Sequence, residues 1–459
     1  MNGIASWQST HRNLSALDLK FREVAKDSPE FLDRAHFQVQ GETKKLLHYR
    51  LQSWPTFVGT EKLTELKRVG IEVSRLIRSV PERIFHSDPV KLADFYGLAS
   101  PGLAAVLFDP PTGAETMLSR GDLIATASGL KCIEWNFTPS LGGWDTTIIT
   151  SQLLAASPTA RFIESEGLRA AFTDTMLEMF RFVIEDLRSK GIVDSGDLTI
   201  AFVTHSGEVP SIAGGLDYFD RELQRTIEAI GLDLHGQTVA CTVEDLMPAG
   251  DGLRLEGRRI GAVIELGGNG TPPHVYRQFK GDLVGLYNGP LGLILSNKRN
   301  VALLSQHAAS GAFAAEERAI IEAHVPWTRL VAPGEIDYEG ETHSLAELLI
   351  GRQEQFVLKD AGSYGGAGVV LGRFVSPETW RQTLDNALAQ GNWVVQEILE
   401  SLPYLYQSGD YGCSIHDVIW GPFVFGERYA GVVLRMQPNM AGGAVNLSLS
   451  ATEGIVLEV

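Results

Sequence analysis

The chain has 459 residues, of which 44% are hydrophobic and 21% charged, the composition of a globular protein with room for two or three domains. Its formal net charge of −17 argues against a nucleic-acid or anionic-membrane surface but leaves room for a local basic pocket. Cys132, Cys241 and Cys413 are odd in number and far apart, which gives neither a disulfide framework nor a zinc pattern and reads as buried thiols. No stretch is long and apolar enough to span a bilayer, and the first residues show no apolar core after their charges, so a reducing cytoplasm is the expected location.

Residues 1 to about 100 read as mainly helical. Between Leu63 and Arg78 apolar residues recur at helical spacing with basic residues between them, the arginines as a solvated face, and Pro81 marks a turn. From Arg120 the pattern becomes a hairpin: a strand over 122–126, a turn at Ser128 and Gly129, and a strand over 131–136. Glu134 and Asn136 are two apart on a strand and leave the same face, as do Arg120 and Asp122 on its partner. A carboxylate beside an amide oxygen suits Mg²⁺; the competing reading is the polar outer face of an antiparallel hairpin. The loop 139–143, with Ser140 and two glycines, follows at once and favours a site. Residues 162 to about 190 then read as one long amphipathic helix, stopped by Gly191.

Strands near 198–204, 238–243 and 260–266, with a helix at 217–230, predict a small parallel sheet. It lacks a phosphate-type glycine loop at its first turn, so substrate binding or dimerisation suits it better than nucleotide binding. Near residue 296 a helix begins, capped by Ser296 or Asn297, with Lys298 in its first turn. A cation there opposes the helix dipole, so Lys298 is expected to face an anion; the alternative is a solvated surface lysine.

The last third reads as an antiparallel α+β unit. Its centre is a hairpin over 356–372: an apolar strand ending in Lys359, a loop carrying Gly365 and Gly366, and a second apolar strand. Glycines let backbone N–H groups approach a ligand, and Lys359 offers a point charge to a phosphate oxygen. The loop is neither a Walker A loop, which opens a helix, nor a dinucleotide fingerprint. Gln396 and Glu397 lie where a strand leaves the sheet, placed to meet an adenine and a ribose, and Arg435 precedes a third small-residue loop.

The order of these motifs resembles the circularly permuted ATP-grasp ligases, the family of eukaryotic-type glutathione synthetase and glutathionylspermidine synthetase. The resemblance covers about residues 100 to 459 and rests on Arg120, Asp122, Glu134 and Asn136, the loop at Ser140, Lys298, Lys359 with Gly365 and Gly366, and Leu434-Arg435 before Gly442-Gly443. It implies an α+β ATP-grasp fold with an inserted α/β domain: a helical region (1–100), a metal-binding part (101–195), the small parallel-sheet domain (196–295) and a nucleotide-binding region with a glycine lid (296–459). It also implies that Lys298, Lys359, Gly365, Gly366, Gln396 and Glu397 bind ATP and that Glu134 and Asn136 hold Mg²⁺. Arg120 and Arg435 take the catalytic places, while Asp122 and Ser140 fall to the substrate. The activity implied is amide formation between a small-molecule carboxylate and an amine through an acyl phosphate; a kinase on the same fold and a non-catalytic nucleotide-binding protein are the rivals, and a homodimer is left open. The chain departs from the family at Ser363, where a metal-binding acid is expected and Asp360 or another carboxylate must serve. It departs again at residues 264–268, which lack the arginine for a γ-glutamyl substrate, and at Gln437 in place of a lysine. These departures argue against glutathione as the product.

Overall fold

The computed structural model describes residues 6–33, 49–109, 117–138, 142–143, 145, 146–155, 157–169, 171–267, 271–439 and 451–459. The fold mixes helices with several sheets. The N-terminal region is helical as its periodicity predicts, and its longest helix, Thr60–Phe85, buries Leu66, Val73, Ile77 and Val80 on one face. Pro81 does not mark a turn: it lies inside this helix, because its fixed φ suits a helix and its ring packs with the buried face. Strands β1 (Arg50–Leu51) and β2 (Thr56–Val58) flank this region, and β3 (Leu118–Thr126) and β4 (Gly129–Asn136) form the expected hairpin.

The segment 162–190 is two helices rather than one, Pro158–Ser165 and Thr175–Ser189. Gly167 adopts φ +67° just after the first, and Asp174 caps the second by accepting a hydrogen bond from the Leu177 N–H at 3.0 Å. Strands β5 (Gly196–Val203) and β6 (Leu234–Cys241) follow, then a meander of β7 (Met247–Ala249), β8 (Gly252–Leu255) and β9 (Arg258–Ile260), then β10 (Ala262–Glu265) and β11 (Gly285–Tyr287). The order β11-β10-β5-β6 is parallel throughout, and its apolar residues are buried on both faces, as a parallel sheet requires.

Next come β12 (Thr328–Leu330), the pair β13 (Glu335–Tyr338) and β14 (Glu341–Ser344), and the hairpin β15 (Phe356–Asp360) and β16 (Val369–Leu371). Helix Pro377–Gln390 leads to β17 (Trp393–Glu397), and β12-β17-β15-β16 is an antiparallel four-stranded sheet. Strands β18 (Tyr404–Ser408), β19 (Gly412–Phe425), β20 (Arg428–Pro438) and β21 (Thr452–Glu458) complete the largest sheet, of eight strands, with the path β1-β21-β20-β19-β3-β4. Helix Thr60–Phe85 covers one face of it, with Gly70 set against Pro422 and Val424. The other face carries the polar residues of β3, β4, β19 and β20 and looks toward the sheet of β15 and β17, so that both sheets wall one cavity. Among the described residues no single helix is long and apolar enough to cross a membrane.

Candidate functional site

The cavity between the two sheets holds about 420 Å³, within the range of small-molecule sites. Its walls come from β3 and β4 (Asp122, Ile124, Ile133, Glu134), from the hairpin (Val357, Lys359, Gly366, Val369), from the end of β17 and the segment after it, and from β19 and β20 (Asp417, Ile419, Arg435, Gln437).

One end of the cavity is cationic. Lys359 is 6% exposed, and its ammonium donates to Gln396 Oε1 at 2.7 Å and to the Ile133 carbonyl at 3.2 Å. That carbonyl is available because the β3–β4 register shifts between Asp122 and Leu123, leaving Ile133 as the extra residue of a bulge. Burial, with Lys298 adding to it, brings Lys359 down to about 8 against the pull of Glu134. Lys298 caps the helix Arg299–His307 instead of lying in its first turn, and Asn297 Oδ1 accepts from the Arg299 N–H at 3.0 Å. The anion that Lys298 was expected to face is Glu134, 3.4 Å away, and the same ammonium also donates to the Ser363 carbonyl of the glycine loop.

The register pairs Arg120 with Asn136 and Asp122 with Glu134, so the four predicted side chains share one face of the β3–β4 hairpin. Asp122 forms an ion pair with Arg435 from β20 and lies 3.5 Å from Arg120 Nε. Burial alone would raise the Asp122 carboxyl, but Arg435 and Arg120 outweigh it and hold it below the usual range. Arg120 is not on the cavity wall: it lies behind, donating from Nη1 to the Gly142 carbonyl at 2.6 Å, and burial with Arg435 beside it brings its guanidinium down to about 10.

The other end is mixed: Val357, Leu371, Phe374, Ile398 and Leu399 stand among Arg373, Glu397, Glu400 and Asp417, with Arg373 paired to Glu400 at 2.8 Å. Gln396 does not present its amide freely to a base: it is 2% exposed, holding Lys359 through Oε1 and donating from Nε2 to Thr328 Oγ1 at 3.0 Å. Glu397 lines the cavity, with Oε1 accepting from the Trp327 N–H at 3.0 Å. Asp417 and Asn439, joined by a 3.0 Å hydrogen bond from Asn439 Nδ2, also line it and were not anticipated. They sit on β19 and just beyond β20, where nothing in the local sequence marks the strand face that meets the cavity. Asp417, Val418 and Ile419 all line the wall, so alternation along β19 does not single out Asp417.

The glycine loop lies over the cationic end. Gly365, Gly366 and Gly368 have φ of +66°, +80° and +67°, and Gly366 reaches the cavity. Asp360 does not line the cavity: its Oδ1 accepts from the Gly362 N–H at 3.1 Å and from Asn392 Nδ2 at 3.3 Å at the base of the loop. Ser140, Gly442 and Gly443 lie outside the described residues. Cys132 and Cys241 are buried and Cys413 is partly so.

Among the described residues no three His, Cys, Asp or Glu side chains converge as a metal cage. Mg²⁺ does not need one, because it is commonly held by one or two protein oxygens together with phosphates and water. Glu134 on the cavity wall and Asn136 one pleat further along the same face are hard oxygen donors of that kind, and the set fits. No known family model matches the chain, and no curated protein matches it.

Proposed function

We propose that the chain is an ATP-dependent carboxylate–amine ligase, of circularly permuted ATP-grasp type, that forms an amide bond through an acyl phosphate. The observation that carries this reading is convergence. Lys359, Glu134, Asp122, Arg435, Gly366 and Glu397 come from separate parts of the chain, yet all line one cavity between two sheets. The cavity is cationic where phosphates would lie, and Val357, Leu371 and Phe374 offer apolar surface where a base would lie.

In this reading the ATP polyphosphate occupies the Lys359 end, under the loop of Gly365 and Gly366. Lys298 and Lys359 balance the charge on the transferred phosphoryl group, which spreads over its equatorial oxygens and calls for positive charge around it rather than a strong base. Mg²⁺ held by Glu134 and Asn136 would add to that balance and keep the phosphates in line. Arg435 faces the carboxylate substrate and the acyl phosphate made from it, and Arg120 supports it from behind. Asp122 keeps Arg435 in place. Closure of the glycine loop excludes water, which would otherwise hydrolyse the acyl phosphate before an amine arrives. The base rests against the apolar wall, with Glu397 and Asp417 placed for the ribose hydroxyls.

ADP release from Mg²⁺-ATP, measured with pooled carboxylates and pooled amines, tests the reading. ADP that needs both pools and is lost in Lys359→Ala and Glu134→Gln supports a ligase. ADP that needs only a hydroxylated compound makes the chain a kinase, and absence of ATP binding removes the nucleotide site altogether.

A further inference from the structure

Strand β21 brings a carboxyl group behind the cavity wall, opposite Arg435, that the chemistry above does not use. Glu453 is fully buried and stands opposite Arg435 in the β20–β21 register. Among the described residues, no N–H or O–H donates to either of its oxygens. Arg120 reaches toward it from β3 across Gly421, where a Cβ would sit 3.1 Å from Arg120 Cδ. A second carboxyl, Asp145, lies within hydrogen-bonding reach of Glu453.

Two carboxyl groups side by side, one of them fully buried, do not both stay ionised, so the pair shares one proton. Burial first, and Asp145 next, push Glu453 well above the usual carboxylate range, against the pull of Arg120 and Arg435. The charges then close. Arg120 and Arg435 carry two positive charges, Asp122 balances one, and a pair holding one proton balances the other. Nε of Arg120 and Nε of Arg435 meet no acceptor in bonding geometry among the described residues. Donors left open in this way call for an anion.

We propose that Glu453 is a positioning residue: sharing one proton with Asp145, it holds Arg120 and Arg435 ready for an incoming polyphosphate or acyl phosphate and links the binding of that anion to proton uptake. This rests on the anion site of the proposed function. An anion on the arginines draws their field away from the pair, which then holds its proton more tightly. Among the described residues, the charged and titratable groups facing the pair are Arg435 on β20 and Arg120 on β3, with Asp122 behind them, and Tyr218 on the Asp145 side.

The test is calorimetry on the full chain with inorganic tripolyphosphate as the probe, in two buffers of different ionisation enthalpy, from about pH 6 to about pH 9. Wild type takes up protons on binding toward the alkaline end of that range, where the free pair has begun to lose its shared proton. Glu453→Gln and Asp145→Asn cannot share the proton, so their uptake falls to what Lys359 alone supplies. Glu453→Leu binds about tenfold more weakly, and Glu453→Gln recovers part of that loss. Equal proton uptake in wild type and Glu453→Gln overturns the proposal, and the Gln and Asn variants decide it even where Glu453→Leu fails to fold. Wild type that binds tripolyphosphate but not ATP overturns the nucleotide reading and leaves Glu453 to be judged on the proton count. Wild type that binds neither overturns both.

Discussion

Lys359 and Gln396, diagonal neighbours across β15 and β17 and both buried, are joined by a 2.7 Å hydrogen bond from the ammonium to the amide oxygen. A charge buried this way weakens the fold while it waits for a ligand. With a folded value of about 8 against an ordinary 10.5, Lys359 costs about 3 kcal/mol at neutral pH. Because the folded value is the lower one, the cost is fully present below pH 8 and disappears as pH rises through the unfolded value. Lys359→Met removes it, at the expense of leaving Gln396 Oε1 without its donor. The stability of Lys359→Met relative to wild type therefore falls by about 3 kcal/mol between pH 7 and about pH 10.5. Denaturant titrations of both proteins across that range check it.

The glycines of the loop are not equivalent. A Cβ at Gly365 meets open space, so Gly365→Ala carries only the backbone penalty of a positive φ, about 1 kcal/mol. At Gly368 a Cβ would come within 2.8 Å of Asp360 Cβ and 3.0 Å of Ser363 Oγ, in the turn that presents the Ser363 carbonyl to Lys298. Gly368→Ala is predicted to be the more destabilising of the two and to weaken ATP binding more, as thermal melts and binding titrations of the pair would show.

Glu134 pairs with Lys298, and in the proposed reading it would also offer an oxygen to Mg²⁺, two tasks that separate experimentally. Glu134→Gln removes a negative charge beside the phosphates, so tripolyphosphate without metal should bind more tightly than to wild type. The gain in affinity that Mg²⁺ gives wild type should shrink by about tenfold in the variant. A variant that keeps the full Mg²⁺ gain would take Glu134 out of the metal site.

Asp417 lies at the end of the cavity away from the lysines. Asp417→Ala is predicted to weaken ATP by about tenfold and to leave tripolyphosphate unchanged, because only ATP carries ribose hydroxyls. Equal losses for both ligands would mean that Asp417 supports the wall rather than the nucleoside.

Much of this site was legible because its parts are local. Alternation put Glu134 with Asn136 and Arg120 with Asp122, and the observed register sets those pairs face to face. The hairpin around Lys359 and the small parallel sheet also follow from short-range pattern. What was not legible depends on pairing between distant strands or on small irregularities. Asp417 and Glu453 meet the cavity region only because β19, β20 and β21 join β3 in one sheet. The bulge at Ile133 that frees a carbonyl for Lys359 has no local marker, and the break near Gly167 was hidden by an apolar stripe that continues across it. Pro81 failed as a turn signal because packing of a long helix outweighs one missing N–H.

The most direct measurement follows an oxygen atom. A carboxylate substrate found in the ADP-release screen is labelled with oxygen-18 and incubated with enzyme, Mg²⁺-ATP and the amine. If the carboxylate attacks the γ-phosphate, one labelled oxygen leaves with the phosphate when the amine displaces it, and the inorganic phosphate carries the label. Label retained wholly in the product would contradict the acyl phosphate, and with it the ligase chemistry proposed for this cavity.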